Sequence, residues 1–288
     1  MITATRLWLI VGAVTIGTSL LIIGALGFNL GIDFTGGSLL VMAGEAGRTA
    51  QVREIAQKNL NLEASVSEGD GGQYVIRTAR MDEEQHAALI AALTEASIFK
   101  EELRYEFVGP TIGEELKRKA VLGLAAVSIA IVLYLMYTFR QAVGSIAGWK
   151  FGLAALYALV HDLAVVTALF VILGKTSGVV IDTLFVTAML SLLGFSVNDT
   201  IVIFDRFRSE WLVKGKASLL EVLDRAVRAS LARSLNIAFA VMLVLGALLF
   251  FGGATIQWFV IALIAGTVVG TYSSLLVAPP LLYYLAKR

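Results

Sequence analysis

The sequence predicts an α-helical membrane protein with six transmembrane helices and one small α+β domain outside the membrane. Three observations lead to this prediction. Of the 288 residues, 58% are hydrophobic and 16% are charged, whereas soluble domains are about 45–50% apolar and about 25% charged. Six apolar runs reach roughly the 20 residues that a helix needs to cross a bilayer. Between the first two runs, residues 31–110 contain 7 basic and 13 acidic residues and no such run.

The six apolar runs cover approximately residues 7–28, 120–139, 151–173, 181–203, 235–252 and 256–285. The first is too long for the apolar part of a signal peptide and lacks a convincing cleavage site, so we expect a retained anchor. The short outer loops contain only Lys175, while the inner segments are rich in Lys and Arg. This asymmetry predicts that both termini are cytoplasmic and that residues 31–110 are extracytoplasmic. The basic residues on the inner side are Arg6, Arg140, Lys150, Arg206, Arg208, Lys214, Lys216, Arg225, Arg228, Arg233, Lys287 and Arg288.

The chain is therefore divided into a first transmembrane helix (1–30), an extracytoplasmic domain (31–110) and a five-helix membrane region (111–288). Within the outer domain the patterns predict strands over 38–42, 74–77 and 103–108 and helices over 49–59 and 82–96. Two helices between short strands predict a ferredoxin-like sandwich.

The segment at about 204–234 is predicted to be a cytoplasmic amphipathic loop, with a helix along the inner surface. Its seven basic and four acidic residues suit anionic headgroups better than nucleic acid. In the last apolar run, Gly266 and Gly270 offer a close packing face. Pro279 and Pro280 should kink that helix near its inner end.

Ionisable residues within the apolar runs are costly and usually face a protein interior or a water-filled cavity. Asp162 lies near the middle of the third run and could take up and release a proton there. Its neighbour His161 points about 100° away around the helix, so we expect no hydrogen-bonded pair on one face. In the alternative interpretation, both side chains are neutral and hydrogen-bonded between helices.

The fourth run carries a second intramembrane acid, Asp199. At 100° per residue, Asp199 and Arg206 share one side of the helix. Arg233, at the start of the next run, should reach a similar depth on an antiparallel neighbour. An Asp199–Arg233 pair that breaks on protonation would be an ion-coupling element, although a loop-end acid and a positive-inside arginine would look the same in sequence. A second stripe on the helix contains Thr187, Ser191, Gly194, Asn198 and Asp205.

Three motifs stand out along the chain. They are Gly31-Ile32-Asp33-Phe34-Thr35-Gly36-Gly37, then Val108-Gly109-Pro110, and then Ser196-Val197-Asn198-Asp199-Thr200-Ile201-Val202-Ile203-Phe204-Asp205-Arg206. These motifs resemble those of the SecF family of protein translocase subunits, in the resistance–nodulation–division superfamily, and the order of one span, an outer domain and five further spans is also similar. The related SecD subunits typically have Asp-Leu-x-Gly-Gly at the first motif, so Asp-Phe-Thr-Gly-Gly points to SecF.

The first motif also has a physical reading. Gly36 and Gly37 lie where a span gives way to a strand, so they are expected to permit backbone angles or close contacts that other residues forbid. A simple turn is the alternative, and Asp33 could cap that turn or contact substrate.

The resemblance implies an accessory of the SecYEG translocon that works with SecD in the bacterial cytoplasmic (inner) membrane. Outer domains of that family handle emerging unfolded polypeptide, and proton flow through the membrane part drives their movement. Asp199 matches the family's intramembrane acid and Arg233 its fifth-span arginine, while Asn198, Asp205 and Arg206 complete the same motif. The residues after Arg233 read Ser-Leu-Asn-Ile, where the family more often has a threonine-rich run.

Other functions are weighed against this one. A proton-coupled exporter of small molecules or lipids, from the same superfamily, is the alternative, although an outer domain of 80 residues is small for it. An aspartyl protease would need Gly-x-Gly-Asp, which neither Asp162 nor Asp199 has, so we expect no enzyme. With no cysteine and two histidines, no metal or other cofactor is expected. The choice between protons and sodium ions, and between a separate and a SecD-fused chain, stays open.

Overall fold

The computed structural model describes residues 4–60, 64–69, 72–140, 146–213, 217–253 and 256–287. The chain forms two compact units, one made of Met1–Asn29 and Leu122–Arg288 and the other of Leu30–Val121. The elements in chain order are α1 (Thr5–Leu26), α2 (Ile32–Thr35), β1 (Gly37–Gly44), α3 (Thr49–Leu60), β2 (Ala64–Gly69), β3 (Gln73–Thr78), α4 (Glu83–Glu95), β4 (Phe99–Val108), α5 (Pro110–Thr138), α6 (Gly148–Ser177), α7 (Thr183–Val213), α8 (Leu219–Phe251), α9 (Gln257–Leu276) and α10 (Ala278–Lys287).

The first unit is helical, and its helices are apolar over membrane-spanning lengths. Within the described residues, six helical stretches are long and apolar enough to cross a membrane, with α9 and α10 counted together. This confirms the predicted set of six apolar helices. The helix is interrupted at Val277, between α9 and α10, and Pro279 and Pro280 lie in the first turn of α10. This agrees with the expected kink, because proline lacks the backbone N–H that would continue the hydrogen bonds of α9.

Three spans supply most of the interior of this unit. About half of each central stretch of α6, α7 and α9–α10 is buried, whereas α1, α5 and α8 present mostly exposed apolar side chains. The two glycines of α9 permit its close approach to α7. A Cβ added at Gly270 would lie 3.1 Å from the Ser196 Cβ, and one at Gly266 would lie 3.0 Å from the Leu192 Cδ1.

The predicted amphipathic loop at 204–234 takes a different form. Residues 204–213 continue α7, and residues 219–234 begin α8. The apolar face of this part of α8 includes Val222 and Ala226, and it packs into the same buried cluster as Phe151, Phe204 and Phe207. The face therefore packs against neighbouring helices. Lys214 and Lys216, as well as Arg288, fall outside the described residues.

The second unit is a layer of two helices on an antiparallel sheet. The strand order is β2-β3-β1-β4, and every paired strand is antiparallel. Side chains from the sheet and from α3 and α4 form one buried cluster. Asp82 caps α4 through a reciprocal capping box with Gln85. The predicted strands and helices occur here, together with β2 and α2, whose residues show no clear helical or strand periodicity.

Candidate functional site

Asp199 lies near the middle of α7, and its carboxyl group is buried but incompletely hydrogen-bonded. The residue is 3% exposed, and α7 continues for about four turns beyond it. Ser234 and Arg233 of α8 are the groups that act on this carboxyl from the next helix. Even so, neither Asp199 Oδ2 nor Ser234 Oγ has a hydrogen-bond partner within the described part of the chain.

Arg233 is near Asp199 but is not locked to it. The arginine is exposed, in contrast to the adjoining Ser234, which is fully buried. Over the residues that the structure describes, no ion-pair contact joins Arg233 to Asp199. The carboxyl group is thus held within the electrostatic reach of a cation, without the hydrogen bonds that normally accompany a buried charge. Ser234 is a site residue that sequence reasoning missed, although it directly follows Arg233.

Three further polar residues of the third motif make no hydrogen bond or ion pair with Asp199 in the described chain. Asn198 and Asp205 are exposed, and the Arg206 guanidinium pairs with Glu210, one turn further along α7, at 3.2 Å. Helical spacing alone placed Arg206 and Asp199 on one side, but the arginine pairs with a closer acid toward the C-terminal end of α7. Thr187, Ser191 and Gly194 are also exposed, so the entire stripe is uncovered in the isolated chain.

Asp162 belongs to a different hydrogen-bond network, which is buried at Asp162, His161 and Ser196 and half-buried at Tyr272. Its Oδ2 accepts a bond from Ser196 Oγ of α7 at 2.5 Å, and its Oδ1 lies 3.0 Å from His161 Nδ1. On the other side of the imidazole, Nε2 lies 2.5 Å from the Tyr272 hydroxyl of α9. Asp162, His161 and Ser196 are each 0% exposed.

The contact between His161 and Asp162 corrects the expectation that they would not meet. The Cα–Cβ bonds of consecutive helical residues do diverge by about 100°. However, the imidazole is long enough to bend back along the helix surface, and the Nδ1–Oδ1 distance is 3.0 Å. Tyr272 and Ser196 were also missed as partners, because a single polar residue in an apolar run does not reveal which helix it faces.

A second set of hydrogen bonds ties α7 to α9 one turn further along. Thr200 Oγ1 donates to Ser274 Oγ at 3.0 Å, and Ser274 Oγ donates to the Ser196 carbonyl at 3.0 Å. All three residues are buried. Ser196 therefore bonds to Asp162 of α6 through its side chain and to Ser274 of α9 through its backbone carbonyl.

The first two motifs meet at one joint within the second unit. Gly36 has φ +72°, and a Cβ there would lie 2.8 Å from the Pro110 Cα. Gly37 has φ +133°, and its added Cβ would lie 2.5 Å from the Thr78 carbonyl oxygen. A Cβ on Gly113, in the first turns of α5, would lie 2.8 Å from the Gly36 nitrogen. These glycines permit a backbone-to-backbone approach that any side chain would prevent.

The remaining residues of these motifs surround the joint. Gly31 accepts backbone bonds from Phe34 and Thr35, Phe34 is buried, and the Phe34 carbonyl faces Gly113. Asp33 lies in the first turn of α2. A Cβ on Gly109 would meet nothing within 4 Å. Gly109 therefore needs no such clearance, whereas Gly36, Gly37 and Gly113 do.

Metal ions and small apolar ligands are the other occupants that a site in this chain could have. Among the described residues, no group of three or more His, Cys, Asp or Glu side chains could hold a metal ion. An apolar cavity of about 210 Å³ lies between α7, α8 and α9 and is lined by residues that include Leu192, Phe195 and Leu263. Pockets for drug-sized ligands typically measure about 300–1,000 Å³, so this cavity is small for such a ligand.

Comparison with known proteins relates these features to one family. The family described as "Protein export membrane protein SecD/SecF, C-terminal" matches residues 89–288, and "SecD/SecF GG Motif" matches residues 21–45. A protein translocase subunit SecF from Thermobaculum terrenum is 36% identical over 273 residues, with 89% of this chain and 84% of the relative covered. The SecF subunit from Pseudomonas aeruginosa is 35% identical over 265 residues, covering 90% and 82%.

Two solved structures have a similar fold. The crystal structure of SecDF from Thermus thermophilus, a translocon-associated membrane protein, matches with a TM-score of 0.87 and 28% identity. The match covers 99% of this chain and 38% of that one. A crystal structure of SecDF in a super-membrane-facing form matches with a TM-score of 0.67 at the same 28% identity, covering 98% and 37%. The present chain thus spans well under half of the SecDF polypeptide.

Proposed function

Since the chain belongs to the SecD/SecF family and is a SecF-type accessory subunit of the Sec protein translocase, we propose that it works with SecD to couple the proton-motive force to late stages of protein export. The observation that carries the proposal is the state of Asp199. Its carboxyl is 3% exposed, has an oxygen without a hydrogen-bond partner in the described chain, and lies under the influence of a cation on the next helix. A proton is the smallest species that can satisfy such a group.

The coupling follows from the electrostatics of this site. While Asp199 is ionised, it attracts Arg233 toward α7. Protonation removes that attraction and leaves the arginine free to take another partner, which favours a different packing of α8 against α7. One elementary charge that crosses 100 mV supplies about 2.3 kcal/mol, enough to shift a two-state equilibrium by roughly fifty-fold. Such a bias is sufficient to oppose backward sliding of an exported chain.

SecD is the partner that this mechanism requires. The exposed polar stripe on α7, from Thr187 to Asp205, would be costly against lipid, and it borders the pocket of Asp199. We assign this stripe to the interface with SecD, which then covers Asn198 and supplies the remaining groups of the proton path. The relation to SecDF structures, of which this chain matches 38%, supports a SecD-like partner.

The outer domain, in this proposal, lies outside the bacterial cytoplasmic membrane and acts on unfolded polypeptide that emerges from SecYEG. Both termini are then cytoplasmic. The element order β-α-β-β-α-β and the sheet order β2-β3-β1-β4 support its assignment as a ferredoxin-like sandwich. The chain itself carries out no chemical conversion and needs no cofactor. The joint of Gly36, Gly37 and Pro110 would hold the start of α5 firmly against the sheet, so that a movement of α5 reaches the domain.

The test is export into inner-membrane vesicles, with and without a proton gradient and in sodium-free buffer. Asp199→Asn keeps the shape of the side chain but cannot ionise, so gradient-dependent stimulation of export should be lost. Glu221→Gln neutralises an exposed acid on α8 and serves as the matched control, which should retain it. If Asp199→Asn exports as well as the wild type, Asp199 is not the coupling group.

The role of Arg233 is tested in the same vesicles. Arg233→Lys keeps the positive charge and should retain part of the stimulation, whereas Arg233→Gln should lose it. The Asp199–Arg233 mechanism is wrong if both variants remain fully active.

A further inference from the structure

A row of polar side chains crosses the interior of the helical unit through groups other than Asp199. We call Thr15, Tyr272, His161, Asp162 and Ser196 the polar row. The Thr15 hydroxyl of α1 donates to the Val11 carbonyl at 2.9 Å, which leaves its oxygen able to accept from the neighbouring Tyr272 hydroxyl of α9. From there the row continues through both nitrogens of His161 and both oxygens of Asp162 to Ser196. The function proposed above leaves this row without a role.

With Asp162 ionised, every polar hydrogen in the row has an acceptor. Ser196 O–H donates to Asp162 Oδ2, His161 carries its proton on Nδ1 and donates it to Oδ1, and Tyr272 O–H donates to Nε2. The distances are 2.5, 3.0 and 2.5 Å respectively. His161 is neutral in this arrangement, and the single charge of the row is the carboxylate.

The same row can also accept one proton without losing a hydrogen bond. A proton that reaches Tyr272 from the side of Thr15 allows the phenol to pass its own proton to His161 Nε2. The Nδ1 proton then moves to Asp162 Oδ1. The acid now donates to Nδ1, Nε2–H donates to the phenol oxygen, and Tyr272 O–H turns to Thr15. One proton has entered, the carboxylate has become a carboxylic acid, and the imidazole has changed tautomer without becoming charged.

We propose that the polar row is a second protonation site, which stores one proton at Asp162 while His161 switches between its two neutral tautomers. The proposal rests on the function proposed above for the source of its protons, but the row itself is a property of this chain. Because both protonation states are fully hydrogen-bonded, neither requires a buried unpaired group, and a fully satisfied network can be stable in a low-dielectric interior.

Protonation of Asp162 would alter the hold of α6 on α7. A hydroxyl bonds more strongly to a carboxylate than to a neutral acid, so the Ser196 contact weakens when the row is loaded. Asp199 is on the same helix, one turn beyond Ser196. The row therefore links proton uptake between α1, α6 and α9 to the position of the helix that carries the coupling acid.

The titratable groups around the row are few. Tyr272 faces His161 from α9, and Tyr157 of α6 acts on Tyr272. The groups that face the row from α1 and α7 are the hydroxyls of Thr15 and Ser196. On α7 the nearest ionisable neighbour along the helix is Asp199.

The tautomer of His161 can be measured directly by nitrogen NMR. The chain contains two histidines, so His86→Gln leaves His161 as the single label in full-length chain prepared with ¹⁵N-histidine and reconstituted in vesicles with unlabelled SecD. On acidification we expect the protonated nitrogen to change from Nδ1 to Nε2 in a one-proton transition, without imidazolium. An unchanged tautomer over the whole range, or the appearance of imidazolium, would overturn the proposal.

Two pairs of variants separate the row from its surroundings. Asp162→Asn should abolish the transition, whereas Asp199→Asn should leave it in place. If Asp199→Asn abolishes it as well, the row is not a separate site. Conversely, a normal transition together with Asp199-independent export would refute the proposed coupling function and leave the row intact.

The second pair tests the link to α7. Ser196→Ala removes the donor that favours the carboxylate, so the row should bind its proton about tenfold more tightly and the transition should move. Ser273→Ala is the matched control, because this buried serine bonds only to the local Gly270 carbonyl in the described chain, and its transition should not move. If the midpoints of Ser196→Ala and Ser273→Ala are equal, the Ser196 hydroxyl does not respond to the charge of Asp162, and the proposed link to α7 is wrong.

Discussion

Asp162 and Asp199 are two buried carboxyl groups on consecutive helices, and they differ in the hydrogen bonds that the chain provides for them. Asp162 is 0% exposed and Asp199 is 3% exposed, so their burial is nearly equal. Asp162 contacts Ser196 and His161 through its two oxygens, whereas Asp199 Oδ2 has no hydrogen-bond partner among the described residues. The chain by itself supplies the hydrogen bonds of Asp162, one of which joins α6 to α7 through Ser196. Asp199 is left incomplete, so its remaining bond is available to another subunit.

The largest expected effect is on stability, where the two acids should differ most. Asp162→Ala leaves Ser196 Oγ and the His161 ring without their buried partner, at a cost of about 2 kcal/mol or more. Asp199→Ala removes few bonds and should cost less than about 1 kcal/mol. Thermal unfolding of the full chain in detergent should therefore show a clear loss of Tm for Asp162→Ala alone. Equal losses would contradict the contrast.

The second difference should be in how easily a chemical label reaches the side of Asp199 that we assign to the SecD interface. The chain has no cysteine, so a single engineered cysteine reports its own surroundings. Asn198→Cys, at an exposed position beside Asp199, should react with a maleimide in the isolated chain and about tenfold more slowly with SecD bound. Leu212→Cys, which is 69% exposed near the C-terminal end of α7, is the control. Equal protection of both, or of neither, would remove the α7 stripe as the interface.

A pair of buried serines repeats the comparison on a smaller scale. Ser274 accepts a bond from Thr200 and donates one to the Ser196 carbonyl, while Ser234 Oγ, beside Asp199, has no partner in the described chain. Ser274→Ala should lower the free energy of unfolding by about 1 kcal/mol, and Ser234→Ala by less than about 0.5 kcal/mol. Both values come from the same unfolding experiment. A larger loss for Ser234→Ala would mean that this hydroxyl is hydrogen-bonded after all.

The fold could be predicted from the sequence wherever a pattern extends over many residues. The six apolar runs and the two outer-domain helices depend on periodicity or length, which a single sequence records directly. Strand β2 was missed because its residues Ala64–Gly69 are mostly small or polar. The segment at 204–234 was predicted to lie on the membrane surface because its sequence is amphipathic. The sequence did not reveal that Val222 and Ala226 pack into one buried cluster with Phe204 and Phe207.

The candidate site was predictable only in part, because its geometry depends on contacts between helices. Sequence identified Asp162, Asp199 and Arg233 as unusual residues in apolar surroundings. It could not reveal that Tyr272, 111 positions away in the chain, approaches His161, or that Arg206 pairs with Glu210. The glycines showed the same limit, since Gly36 and Pro110 belong to separate motifs but approach each other in space.

The smallest expected effect is at an exposed acid, Glu68 of β2, which extends the comparison to a carboxylate in water. The Thr49 hydroxyl and the Gly47 N–H donate to it, and these bonds hold the pKa of Glu68 below its ordinary value of 4.5. Because the folded pKa is the lower one, the stabilisation is complete above about pH 4.5 and is lost as the pH falls through the folded value.

Amide exchange in α3, whose first residue is Thr49, should therefore lose protection modestly as the pH falls below about 4.5. Glu68→Gln should show weaker protection at neutral pH and little further change in acid, while Glu84→Gln, at an exposed position in the first turn of α4, should behave as the wild type. A pH dependence that survives in Glu68→Gln would assign it to another acid. Since water can solvate Glu68 in either state, its titration loosens one helix end, whereas Asp162 and Asp199 are buried away from that solvent.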